Sequence, residues 1–100
     1  MKPVSEYKNM TELRCEIDAL DSRIVTQLVH RAALIKRAAE LKPNEGLPAR
    51  IERRVDEVLN NVRTIAQEQG LDPALVETLW REMIEWSIHE EEKTLGATPT

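Results

Sequence analysis

No glycine or proline interrupts the chain from Leu13 to Leu41. Within that run Leu13, Ile17, Leu20, Ile24, Leu28, Ile35 and Ala38 recur at three-, four- and seven-residue steps, the signature of one apolar helical face. Thr11 is the expected N-cap, with Glu12 favourable in the first turn. Pro43 ends the run, because a residue before proline is driven out of the α region. About 30 residues at a rise of 1.5 Å make a helix of roughly 45 Å. A compact domain of this length is only about 35 Å across. The stripe therefore calls for a second chain, with two long helices wrapped together.

The rest of the 100 residues supplies two shorter helices. The segment 42–48 reads as a loop. A second helix is expected from near Pro48, which suits a first turn, with the stripe Ile51, Val55, Val58, Val62 and Ile65. Gly70 stops it. Asp72 caps a third helix, Pro73 fits its first position, and Val76, Trp80, Met83 and Ser87 form its stripe as far as about Lys93. The expected fold is all-α: a three-helix chain with one very long first helix, in a homodimeric helical bundle. Residues 1–100 are expected to be one domain, with 1–10 a flexible arm and 96–100 a frayed tail.

Composition narrows the classes. Apolar residues at 41% and charged residues at 32% suit a folded, soluble chain. No segment has the apolar length to span a bilayer, and the N-terminus lacks the core of a signal peptide, so a cytoplasmic setting is expected. The single cysteine, Cys15, excludes an internal disulfide and a cysteine-based zinc cluster. A net charge of −4 argues against nonspecific nucleic-acid binding but leaves room for a local cationic pocket.

Such a pocket is suggested where polar residues break the stripes. One heptad beyond Ile24 stands Arg31 rather than an aliphatic residue. Lys42, 11 residues on, lies only about 20° away around the helix. A buried charge without a partner is costly, so each cation needs an anion, from the chain or from a ligand. On the second helix Arg54 flanks the stripe, about 60° from its centre, while Arg50 and Arg53 read as surface charges. On the third, Ser87 and Glu91 continue the stripe, while His89, Glu90 and Glu92 face elsewhere. Arg14 precedes Arg31 by 17 residues and lies about 100° away around the helix and about 25 Å along it. In an antiparallel pair of long helices, Arg14 of one chain could approach Arg31 of the other.

The spacing of Arg14, Arg31, Lys42, Arg54 and Glu91 resembles that of the all-helical, bacterial-type chorismate mutases over roughly residues 8 to 95. The text LRCEIDALDSRIV, the segment RAALIKRAAELK, the turn QGLDP and the run IEWSIHEEE carry the same resemblance. It implies an intertwined three-helix homodimer in which each active site takes Arg14 from the partner chain. It implies a Claisen rearrangement of chorismate to prephenate with no cofactor, no metal and no covalent intermediate. Arg14 and Arg54 would hold carboxylates, which Arg grips bidentately. Arg31 would lie near the enolpyruvyl side. Lys42 would face the charge that grows on the ether oxygen, and Glu91 would donate a hydrogen bond there. Ser87, Ile51 and Val55 would complete the substrate contacts.

Two positions depart from that pattern. Ile51 and Val55 stand where an Asp and a Glu that binds the ring hydroxyl occur. The related isochorismate–pyruvate lyases and 4-amino-4-deoxychorismate mutases, which process ring variants, are the alternative enzymes. Glu91 stands where Gln is common, and it can donate only when protonated. A non-catalytic helical dimerisation module is the alternative from another class, with Arg31 and Lys42 as paired structural charges.

Overall fold

A computed structural model describes residues 2–96. Among them are three α-helices, α1 (Met10–Leu41), α2 (Glu52–Glu68) and α3 (Pro73–Leu95), two short 3-10 turns, and no strand. The all-α expectation holds, with a first helix of 32 residues. The proposed tail falls at 97–100, outside the described residues, apart from Gly96. No helix among the described residues is long and apolar enough to cross a membrane.

The chain divides into two compact units, the first ending at Ala33 and the second beginning at Leu34. In the first unit the arm carries a 3-10 turn at Val4–Glu6, and the Lys2 ammonium sits 4.4 Å from the centre of the Tyr7 ring. The helix start differs from expectation by two residues. Asn9, not Thr11, is the cap: its side-chain oxygen accepts from the Glu12 amide at 2.9 Å. Glu12 in turn accepts from the Lys8 amide at 2.9 Å, so the two side chains satisfy end groups reciprocally, as in a capping box. The apolar stripe of this unit is open to solvent in the single chain: Ile17, Leu20, Ile24 and Leu28 are 41–49% exposed.

The second unit comprises the last turns of α1, where Ala39 is buried, and the packed pair α2 and α3. Its core is Ala49, Leu59, Ile84 and Ile88, with Val55, Val58, Trp80 and Leu95 packed against it. Leu59 is the most enclosed of these, and truncating it to alanine would cost about 2–5 kcal/mol. The α2 stripe is rotated from the expected one, since Ala66 is buried while Ile65 is half exposed. The α2–α3 turn follows the sequence reading. Gly70 takes φ 76°, and Asp72 accepts from the Ala74 amide at 2.9 Å to cap α3 at Pro73. Glu77 on α3 ties the two helices together, accepting from Arg63 of α2 and from Arg81 one turn further along α3.

Pro48 does not begin α2. The chain from Leu47 to Arg50 stays irregular, and Ile51 caps the helix in an extended conformation. The reason lies at Ala49, whose side chain is buried in the core and whose carbonyl serves a side chain at the end of α1.

Candidate active site

α1 ends at Leu41, and Lys42 keeps helical dihedrals as the chain enters a 3-10 turn over Pro43–Glu45. Gly46 reverses direction at φ 68°, a conformation costly for other residues. The Leu47 amide then donates back to the Lys42 carbonyl at 2.9 Å. This folded-back connection returns Ala49 to the Lys42 side chain. Lys42 Nζ donates to the Ala49 carbonyl at 2.8 Å and to Glu91 Oε2 at 3.0 Å, with Oε1 also at 3.0 Å.

An ammonium has three N–H groups, and here three oxygens surround it. The setting is nearly dry: the Lys42 side chain is 17% exposed and that of Glu91 5%. Lys42 therefore finds the anion that its place on the stripe demands. Glu91 lies inside the protein rather than at a solvated helix end, as the α3 stripe predicts. Ser87, one turn earlier on the same face, is equally buried, and its hydroxyl donates to the Met83 carbonyl at 2.8 Å.

Arg54 occupies the first turn of α2, with its side chain exposed and its amide donating to the Ile51 carbonyl at 3.0 Å. On either side of it Ile51 and Val55 are half-buried, Val55 against the core. The second unit thus holds a cation, a buried carboxylate and a half-buried aliphatic wall. Arg14 and Arg31 belong to the first unit, where Arg14 is exposed and Arg31 half-buried. Among the described residues no cluster of three or more His, Cys, Asp or Glu side chains could hold a metal ion.

Arg50 departs from its reading as a plain surface charge. Its guanidinium forks onto Glu85 of α3, Nη1 to Oε1 at 2.9 Å and Nη2 to Oε2 at 2.6 Å. These bonds hold the Glu85 carboxyl below the usual carboxylate range, with burial acting the other way. Nothing in the sequence marks this pair, because neither residue interrupts an apolar stripe and 35 residues separate them.

The pattern of the chorismate mutase type II family matches residues 13–92. The isochorismate pyruvate lyase of Pseudomonas aeruginosa is 34% identical over 94 residues, which cover 93% of this chain and 91% of that protein. The chorismate mutase of Methanocaldococcus jannaschii is 26% identical over 78 residues, 78% of this chain and 79% of that protein. The bifunctional chorismate mutase/prephenate dehydratase of Aquifex aeolicus is 34% identical over 90 residues, and the chain spans only 25% of its length.

Proposed function

The chain belongs to the chorismate mutase type II family, and on that premise we propose that Lys42, Glu91 and Arg31 form the catalytic centre at which it rearranges chorismate to prephenate. It is a chorismate mutase-type enzyme, an isomerase. In the rearrangement the ether C–O bond breaks as a C–C bond forms within one molecule, and no proton is transferred. The protein's task is to hold a compact conformer and to stabilise the negative charge growing on the ether oxygen. Arg54 and the partner subunit's Arg14 grip the two carboxylates, Arg31 and Lys42 face the enolpyruvyl side, and Ser87 with Ile51 and Val55 completes the wall. Protonated Glu91 donates to the ether oxygen alongside Lys42. The enzyme works as a cytoplasmic homodimer without cofactor.

The observation that carries this reading is the buried pairing of Lys42 with Glu91. Charge placed in a dry site is expensive and acts strongly on charge that develops there. The homodimer draws its support from the exposed stripe of Ile17, Leu20, Ile24 and Leu28, which a second α1 would cover.

A second reading, isochorismate cleavage with release of pyruvate, is favoured by one feature. Ile51 and Val55 leave Arg54 between aliphatic side chains, with no carboxylate at either position for a ring hydroxyl. The Pseudomonas aeruginosa relative carries that activity in its name. One assay decides. Purified protein is given chorismate, isochorismate and 4-amino-4-deoxychorismate in parallel, with chelator present, and prephenate, its amino analogue and pyruvate are measured. Prephenate from chorismate is expected. Pyruvate from isochorismate alone transfers the assignment to the lyase, and no turnover of any of the three favours a dimerisation module.

A further inference from the structure

The ammonium of Lys42 has one acceptor that a ligand can displace and one that it cannot. Glu91 is a side chain and can turn. The Ala49 carbonyl is backbone, at 2.8 Å, and its position depends on what holds residues 47–51. That segment belongs to neither helix, and backbone hydrogen bonds hold it at its ends, from the Leu47 amide to the Lys42 carbonyl at 2.9 Å and from the Arg54 and Val55 amides to the Ile51 carbonyl at 3.0 and 3.1 Å. Between those ends, two side-chain anchors tie it to α3. The Ala49 methyl is buried in the core with Ile84 and Ile88 of α3. The next residue, Arg50, forks onto Glu85 of the same helix at 2.9 and 2.6 Å. Glu85 stands six residues before Glu91, so one rigid helix references both partners of the ammonium.

We propose that Arg50 and Glu85 are a positioning pair for the reaction: their bidentate interaction pins residues 47–51 to α3, fixes the Ala49 carbonyl, and so aims Lys42 Nζ. This rests on the reading of Lys42 as the cation of the active site. The pair touches no substrate and acts through Lys42. Arg is needed rather than Lys, because only a planar fork resists rotation about a single hydrogen bond. The Glu85 side chain is 56% exposed, so the pair adds little to global stability, as exposed ion pairs generally do. Its effect is on aim. A cation that must meet charge developing in the transition state loses rate when displaced, while ground-state affinity changes less.

The test compares Arg50→Ala, Glu85→Ala, Arg50→Lys and the exchanged pair Arg50→Glu/Glu85→Arg with wild type. Three quantities are read: kcat and KM, melting temperature, and the acetylation rate of the Lys42 amine, resolved by peptide mass. Either alanine variant is expected to lower kcat about tenfold or more with KM within about twofold, as when an interaction is weakened mainly in the transition state. The melting temperature should fall by only a few degrees. Lys42 acetylation should accelerate, Arg50→Lys should fall between, and the exchanged pair should recover part of kcat. Wild-type kcat in both alanine variants overturns the proposal. So does a loss confined to KM or matched by the fraction unfolded. If wild type turns over none of the three substrates, the functional reading fails separately. The clamp is then judged on acetylation: faster in both alanine variants supports it, and an unchanged rate overturns it.

Discussion

Lys42 Nζ lies 3.0 Å from each carboxylate oxygen of Glu91, across 49 residues of sequence. One residue closes the long helix and the other sits near the end of the last, and both interrupt apolar stripes. Each answers the other's charge in a place that water barely reaches. A pair of this kind adds little net stability, because desolvating the two ions offsets their attraction. Removing one partner is another matter.

Lys42→Met is expected to destabilise the ligand-free protein by about 3 kcal/mol, since it leaves the Glu91 carboxylate buried without a counterion. Lys42→Met/Glu91→Leu should regain most of that loss while remaining inactive. Urea unfolding at neutral pH measures both. A single variant as stable as wild type would mean that Glu91 is solvated in solution.

The proposed crossing of Arg14 between subunits has a sharp consequence. Arg14→Ala and Arg31→Ala should each lower kcat/KM by about 10² to 10³, because each removes a cation that holds the substrate in its reactive conformer. Arg53→Ala, on the exposed side of α2, should not. After unfolding and refolding the two inactive variants together, about half the dimers are mixed and each has one intact site, so about a quarter of wild-type activity should return. Light scattering should give twice the chain mass. A folded monomer, or no recovered activity, rules out the shared site.

The sequence revealed Lys42 and Glu91 because each was an error in a pattern, a charge where an aliphatic residue belonged. The same logic explains what it hid. Arg50 and Glu85 violate no pattern, and only the return of the chain through Gly46 brings them together. Pro48 is a sound first helical residue in isolation. Tertiary demand overrode it, because Ala49 had to place its methyl in the core and its carbonyl on Lys42. The Asn9–Glu12 box was present in the sequence, yet Thr11 offered a comparable cap side chain nearer the apolar run. Spacing alone places Ile65 on the buried face. The packing of α2 against α3 turns that face toward Leu59 and Ala66 instead.

Acid should act on the α2–α3 pairing through Glu77. Hydrogen bonding from Arg81 comes first; burial opposes it, and the charges of Arg63 and Arg81 add to it, so that the Glu77 carboxyl is held below its ordinary value. A carboxyl depressed in the folded state contributes stability above its unfolded pKa, and that contribution is lost as pH falls through the folded value. Glu77→Gln lacks it throughout. Wild type should therefore be the more stable at neutral pH, and the gap in urea midpoint should close between about pH 5 and pH 2. A constant gap over that range would mean that the Glu77 interactions contribute only as neutral hydrogen bonds.

The role of Glu91 makes the sharpest kinetic prediction. Both oxygens of Glu91 face the Lys42 ammonium, the geometry of a carboxylate beside a cation. A carboxylate has no proton to offer the ether oxygen of the substrate. If donation by Glu91 stabilises the transition state, only the protonated enzyme turns over at full rate. Gln at the same position keeps the length of the side chain and donates through its amide at every pH. It also leaves Lys42 without a competing anion, so the ammonium is free to meet the substrate. The quantity to follow is the turnover of Glu91→Gln and of Glu91→Leu, each relative to wild type, on the productive substrate at neutral pH. Glu91→Gln should keep or exceed wild-type turnover, while Glu91→Leu, with no donor, should lose about 10²-fold or more. The comparison is internally controlled, because the proteins share Arg14, Arg31, Lys42 and Arg54. A Glu91→Gln variant as slow as Glu91→Leu would remove Glu91 from the donor role and leave it as the counterion that keeps Lys42 in place before substrate arrives.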